Sequence, residues 1–257
     1  MNNYAVCLLA YIPIRKETDS RSEMLSQVIF GEYYEILKSN GNWHYIRMIH
    51  DGYEGWISSN SLIYIDKKEI EAYQRSDKYY SNQIFTMVNY KEEIYFPGIG
   101  SPLPFWNGKH LKIANKKFEF QGEAIKGEKS NDIDFIFETA ILLLGTPYLW
   151  GGRTSYGIDC SGLVQTLFRL KNINLPRDSY KQYEMGEEVT FNKRLKGDLA
   201  FFMNDEGKVI HVGIYFGNDW ILHASGSVRI DLFDEKGVYN DDIKEYTHKL
   251  KGIKRIL

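Results

Sequence analysis

The sequence predicts an α+β protein, with a mixed helix-and-sheet domain over residues 129–257 behind one or two small β-barrels. Three observations predict it. The first 65 residues hold short apolar runs, cut by the turn signals Asn40-Gly41 and Asp51-Gly52; that spacing suits a small barrel. Between residues 131 and 168 the apolar residues fall at helical spacing instead. After Gly197 strand-like runs return.

The bulk composition is that of an ordinary soluble chain: 257 residues, 43% hydrophobic and 26% charged. Net charge is −2 with no basic block, which argues against nucleic acid or an anionic membrane as partner. No apolar run approaches the roughly 18 residues of a membrane span. Aromatic content is 15%, with 19 tyrosines, as expected for β structure and sugar- or peptide-facing surfaces. The two cysteines, Cys7 and Cys160, fall in different predicted domains, so neither a disulfide framework nor a cysteine-based zinc site is expected. No cofactor and a monomeric state are expected. A basic segment followed by an apolar one is missing at the start. The expectation is a cytoplasmic protein, the alternative an exported one that has lost its signal.

Residues 6–14 read as one strand. Residues 28–37 follow, then the alternating run 43–48 and a short closing strand at 53–57. Residues 66–80 read as a charged linker or short helix. Residues 81–125 look β-rich, punctuated by Pro97, Gly98, Gly100, Pro102 and Pro104. Residues 126–129 form a polar joint. Ile133, Ile136, Phe137, Ala140, Ile141 and Leu144 make an amphipathic helix that stops at Gly145-Thr146-Pro147. Cys160, Leu163, Val164, Leu167 and Phe168 make another, with Asp159 as N-cap. Asp178 is placed to cap a short helix through Tyr183. Strands are predicted at 197–202, 209–216 and 220–224, with a last one near Ile253 and Ile256.

Cys160 thus falls in a first helical turn, where unpaired N–H groups and the positive dipole end favour a thiolate. The polar neighbours Asp159, Ser161 and Gly162 do not build a core. Of the three histidines after it, His248 lies among Lys and Thr and is read as solvated. His211 and His223 flank one predicted hairpin at even spacing. With an odd loop at 217–219 both project from one face. One then serves as base for Cys160 and the other orients it. Two ordinary hairpin histidines, or a metal pair with Cys160 as third ligand, are the alternatives; no metal is the expectation adopted.

Six motifs occur in order: Tyr148-Leu149-Trp150-Gly151-Gly152, Asp159-Cys160-Ser161-Gly162, Pro176-Arg177-Asp178-Ser179, Gly197-Asp198-Leu199, His211-Val212-Gly213-Ile214-Tyr215 and Ile221-Leu222-His223-Ala224. Together they resemble an NlpC/P60 cysteine peptidase over about residues 130–257. The order of residues 1–65, with Gly31-Glu32 and Gly52-Tyr53-Glu54-Gly55-Trp56, resembles a bacterial SH3 domain. The resemblance implies domains at 1–65 (SH3), 66–128 (linker plus a second, degenerate SH3-like module) and 129–257 (papain-like NlpC/P60 domain). It implies Cys160 as nucleophile, His211 as general base and His223 as the polar residue orienting it. Tyr148, with a backbone N–H near Cys160, would stabilise the oxyanion.

The whole chain is similar to the γ-D-glutamyl-L-diamino acid endopeptidases of murein peptide recycling. That similarity implies a peptidoglycan-derived peptide, L-Ala-γ-D-Glu-diamino acid, as substrate. Its free amine would be held by Asp159, Ser161, Asp178 and Ser179, with Tyr53 and Glu23 from the SH3 domain; a buried ammonium needs such partners. The competing functions are a general peptidoglycan hydrolase acting on attached stems, a non-catalytic wall-binding module, and acyl-transfer or amidase chemistry. Relatives of that last kind that place His before Cys are disfavoured by the order here.

Overall fold

A computed structural model describes residues 3–59, 62–129 and 132–257. The chain divides into two compact units. One comprises Met1–Lys129, Trp150–Ser155 and Arg169–Asn174; the other comprises Ser130–Leu149, Tyr156–Phe168 and Leu175–Leu257.

The first unit opens with an antiparallel sheet of seven short strands. Their order is Met24–Ile29, Tyr11–Arg15, Glu54–Ser58, Trp43–Met48, Tyr33–Asn40, Tyr4–Val6 and Ile63–Ile65. Alternate residues Ile12, Ile14, Ile46, Met48 and Ile57 point into one core with Val28 and Tyr34, the period-two rule at work. Residues 6–14 are not one strand but parts of two. Cys7 still follows the first strand's partner, its N–H donating to the Glu32 carbonyl (3.0 Å) and its carbonyl accepting from Gly31 N–H (2.8 Å), and the chain bends at Leu9 and Ala10. The second strand starts afresh at Tyr11 against a different partner, Met24–Ile29.

Residues 66–75 resolve to a helix. Asp66 caps Lys67–Arg75 by accepting from Lys68 N–H at 2.9 Å. Residues 87–121 form a four-stranded antiparallel sheet, Glu93–Tyr95, Met87–Tyr90, Lys116–Gln121 and His110–Ile113 in order. Its Val88, Leu111 and Phe118 share one buried cluster with Ile70 of the helix and Val6 and Phe30 of the barrel. A shared core makes these parts one unit.

The second unit pairs helices with a closed sheet. Leu199–Met203, Val209–Gly217, Trp220–Ser225, Ser227–Phe233, Gly237–Asn240 and Glu245–Arg255 follow one another, and the last strand pairs with both Gly237–Asn240 and Leu199–Met203. Six strands therefore close a barrel, leaving no free edge among them. Ala200, Phe202, Tyr215, Ile221, Phe233, Val238 and Ile253 fill one face of it. The strands at 227–233 and 237–240 are absent from the sequence reading. The helices run Asp134–Leu142 and Cys160–Leu170; the first was read from Asn131, which lies outside the described residues.

Candidate active site

The helix Cys160–Leu170 begins at the cysteine. Asp159 is its cap: the carboxylate accepts from Gly162 N–H at 2.7 Å and the carbonyl from Leu163 N–H at 2.9 Å. Cys160 is 6% exposed. Burial pushes its thiol up to about 12, and Asp159 adds to this; N–H donation from Val212 and Ser161 and the charge of Arg177 work the other way. Desolvation therefore outweighs the helix dipole, and the resting group is a thiol rather than the thiolate expected from its helical position. A base is required. The Val212 contact places the sulfur beside the residue that follows His211.

His211 and His223 share a face of the sheet, by a different route from the one the loop length suggested. The turn is two residues, Asn218 and Asp219, both at positive φ (51° and 62°), the backbone of a tight hairpin turn. A bulge between Tyr215 and Gly217 then shifts the register by one, restoring the parity that a two-residue turn would have lost. Gly213 lies opposite His223, so His211 sits one diagonal step away. His211 Nε2 and His223 Nδ1 are 2.9 Å apart. His223 Nε2 lies 2.9 Å from Asp231 Oδ2, and Arg229 donates to Asp231 Oδ1 at 2.8 Å. All three members are buried. Asp231 was invisible to motif reading.

His248 is half-buried rather than freely solvated. Its ring stacks on His211, with centroids 4.1 Å apart and planes at 27°. The last barrel strand carries it there by closing the sheet. Burial, then His223, lowers its pKa to about 4. Burial, then His248 and His223, holds His211 well below the usual histidine value. The three histidines bring ligand nitrogens within 4.8 Å of one another. Two of their nitrogens are already engaged with each other, His211 Nε2 with His223 Nδ1, and His223 Nε2 is engaged with Asp231.

The residues assigned to amine binding divide between the two units. In the second, Asp159 is ion-paired with Arg177 (Nη2 to Oδ2 2.5 Å, Nη1 to Oδ1 3.0 Å), and Arg177 also donates to Ser161 Oγ at 2.8 Å. The charge of Asp159 thus already has a cation, and Arg177 is a member of this site that the sequence reading left unassigned. Asp178 stands at the N-cap of the short helix Ser179–Gln182 without a side-chain cap bond. Ser179 is its first residue, half-buried. Tyr148 is half-buried too; burial, then Cys160 and Asp159, raise its phenol, which stays protonated and able to donate. In the first unit, Tyr53 packs against the barrel core. Glu23 is exposed, accepts from Trp150 Nε1 at 3.1 Å and pairs with Lys16 at 3.3 Å.

Residues 145–247 match the NlpC/P60 family, and residues 14–62 match the bacterial dipeptidyl-peptidase SH3 domain. The chain carries an NlpC/P60 domain and a bacterial SH3 domain. It is 29% identical over 215 residues to a γ-D-glutamyl-L-lysine dipeptidyl-peptidase of Bacillus subtilis, covering 77% of this chain and 71% of that one. A Bacillus cereus protein of the same name is 26% identical over 245 residues, covering 81% and 69%. The crystal structure of an NlpC/P60 family protein from Bacillus cereus superposes with a TM-score of 0.82 at 20% identity, covering 99% of each chain; at that identity the likeness is one of fold.

Proposed function

We propose that the protein is a cysteine endopeptidase that cleaves the γ-D-glutamyl–diamino acid bond of cell-wall peptides bearing a free N-terminal L-alanine. The observation that carries the reading is the buried His211–His223 pair, with His211 on the strand whose Val212 N–H meets the Cys160 sulfur and His223 on the neighbouring strand. Nε2 of His211 is committed to His223, which leaves Nδ1 for the thiol. The sulfur attacks the γ-carbonyl carbon as its proton passes to His211. Tyr148 and a backbone N–H at the helix start hold the oxyanion. His211 returns the proton to the leaving amine, and water then releases the acyl group. The names of the Bacillus relatives support the substrate class.

Two expected results test this. Free L-Ala-γ-D-Glu-diaminopimelate is cut well and its N-acetyl form at least a hundredfold less efficiently in kcat/KM, because a neutral, bulkier amide cannot replace the charged hydrogen bonds an ammonium makes to acidic and hydroxyl side chains. Equal kcat/KM for the two peptides would mean that the site ignores the amine, in favour of a general wall hydrolase.

The second concerns pH. His211 works as a base only while neutral, and its pKa lies well below the usual histidine value. The acid limb of kcat/KM should therefore fall below pH 6.5. The same shift makes the fold less stable as pH drops past 6.5, since the unfolded chain takes up a proton that the buried ring resists. A profile from pH 4.5 to 9 whose acid limb sits at 7 or above would contradict the assignment.

A further inference from the structure

We infer that Asp231 is a positioning residue which, through His223, fixes the tautomer of His211; the inference rests on Cys160 and His211 being nucleophile and base. With both imidazole rings neutral, the chain of bonds permits only one arrangement. An ionised carboxylate only accepts. Burial opposes ionisation of Asp231, but bonds from His223 and Arg229 prevail and its pKa is lowered. His223 must then carry its proton on Nε2, which leaves Nδ1 as acceptor at 2.9 Å from His211 Nε2. His211 must in turn carry its proton on Nε2. Its Nδ1 lone pair is thereby free for the thiol proton. When Nδ1 takes that proton, the cation is stabilised across His223 by the Asp231 charge, with no further atom moving.

Arg229 makes the arrangement directional. It occupies Asp231 Oδ1 and leaves Oδ2 to His223. In Asp231→Asn, Arg229 demands the amide oxygen at the Oδ1 position. The amide NH2 then faces His223 and donates to Nε2. His223 must move its proton to Nδ1 and donate to His211, which must accept at Nε2 and hold its own proton at Nδ1, against the thiol. The base is lost without loss of a contact. The charged and titratable groups around the chain are Arg229 on the Asp231 strand, His248 stacked on His211 from the last strand, and Asp242, which shares Arg229 at 2.9 Å.

The test reads tautomers directly. In full-length protein labelled with 15N-histidine, long-range proton–nitrogen spectra at pH 7 should show His211 and His223 both protonated at Nε2. In Asp231→Asn both should move to Nδ1, with kcat/KM on the tripeptide lower by about 10³- to 10⁴-fold, as the equivalent swap does in Ser-His-Asp enzymes. Adding Arg229→Met frees the amide to turn over and should restore at least tenfold of that loss. A merely structural role predicts the reverse, a double variant slower than the single one. Unchanged tautomers in Asp231→Asn would overturn the inference, and so, where the unaltered protein cuts the tripeptide, would a double variant no faster than the single. The spectra need no substrate, so flipped rings in a protein that cannot cut the peptide would support the relay and count only against the peptidase reading.

Discussion

Cys160→Ala is expected to abolish tripeptide hydrolysis, with kcat down by about 10⁴-fold or more, while the protein stays folded. The size of the effect follows from the chemistry of a covalent route: alanine offers no atom to attack the carbonyl, and the remaining oxyanion donors act on a water that nothing activates. The folded state should hardly notice. The thiol is a small group whose sulfur receives N–H donation from Val212 and Ser161, and its removal should cost about 1 kcal/mol. With the thiol pushed up to about 12, only about one molecule in 10⁵ would be a thiolate at pH 7 without a base. The proposed mechanism therefore predicts turnover that depends on proton transfer to His211 and not on spontaneous ionisation. Circular dichroism and thermal melting beside a product assay by mass spectrometry decide the matter. Near-normal turnover by the alanine variant would remove Cys160 from the mechanism.

Glu32→Ala should cause a large loss of stability in the first unit, about 3–5 kcal/mol. Glu32 is 1% exposed and joins three excursions of the chain. It accepts from Arg153 Nη1 (3.0 Å) and Nη2 (2.9 Å), pairs with Arg169, and takes Ile29 N–H at 2.8 Å. Arg153 and Arg169 are themselves 1% and 4% exposed. Deleting the carboxylate strands two buried guanidinium groups, and that is the costly way to break such a cluster. Burial opposes the charge on Glu32, but Arg153, Arg169 and His50 outweigh it and bring its pKa down to about 2. Its contribution is therefore fully present above the ordinary carboxylate range and fades as pH falls through that range towards 2. Thermal melts of the two proteins should differ by about 10 °C at pH 7, with the gap closing below pH 4. A gap of a degree or two, or one that widens in acid, would show that the two arginines are satisfied without Glu32.

The features legible before folding are local ones. Apolar spacing of 3.6 after Asp159 put Cys160 in a first helical turn, and the helix does begin there with Asp159 as its cap. Asn-Gly and Asp-Gly turns at short spacing spelled a small barrel, because a turn type is a property of two adjacent residues. Even spacing suggested that His211 and His223 share a face. A two-residue turn and a bulge achieve this, and which residue bulges is settled by how Tyr215 and Gly217 pair across the strand.

Partners far apart in the chain meet only in the folded protein. Asp231 reaches His223 because Ser227–Phe233 pairs with Trp220–Ser225 in a register that no motif announces. His248 lies against His211 because the last strand closes the barrel, so its exposure depends on a partner 37 residues upstream, not on its polar neighbours. Glu32, Arg153 and Arg169 look like ordinary surface charges one at a time; they meet across 121 and 137 residues. Periodicity reports which face of an element is apolar. It carries no information about which other element that face will meet, and the charges that ended up buried here are set by that meeting.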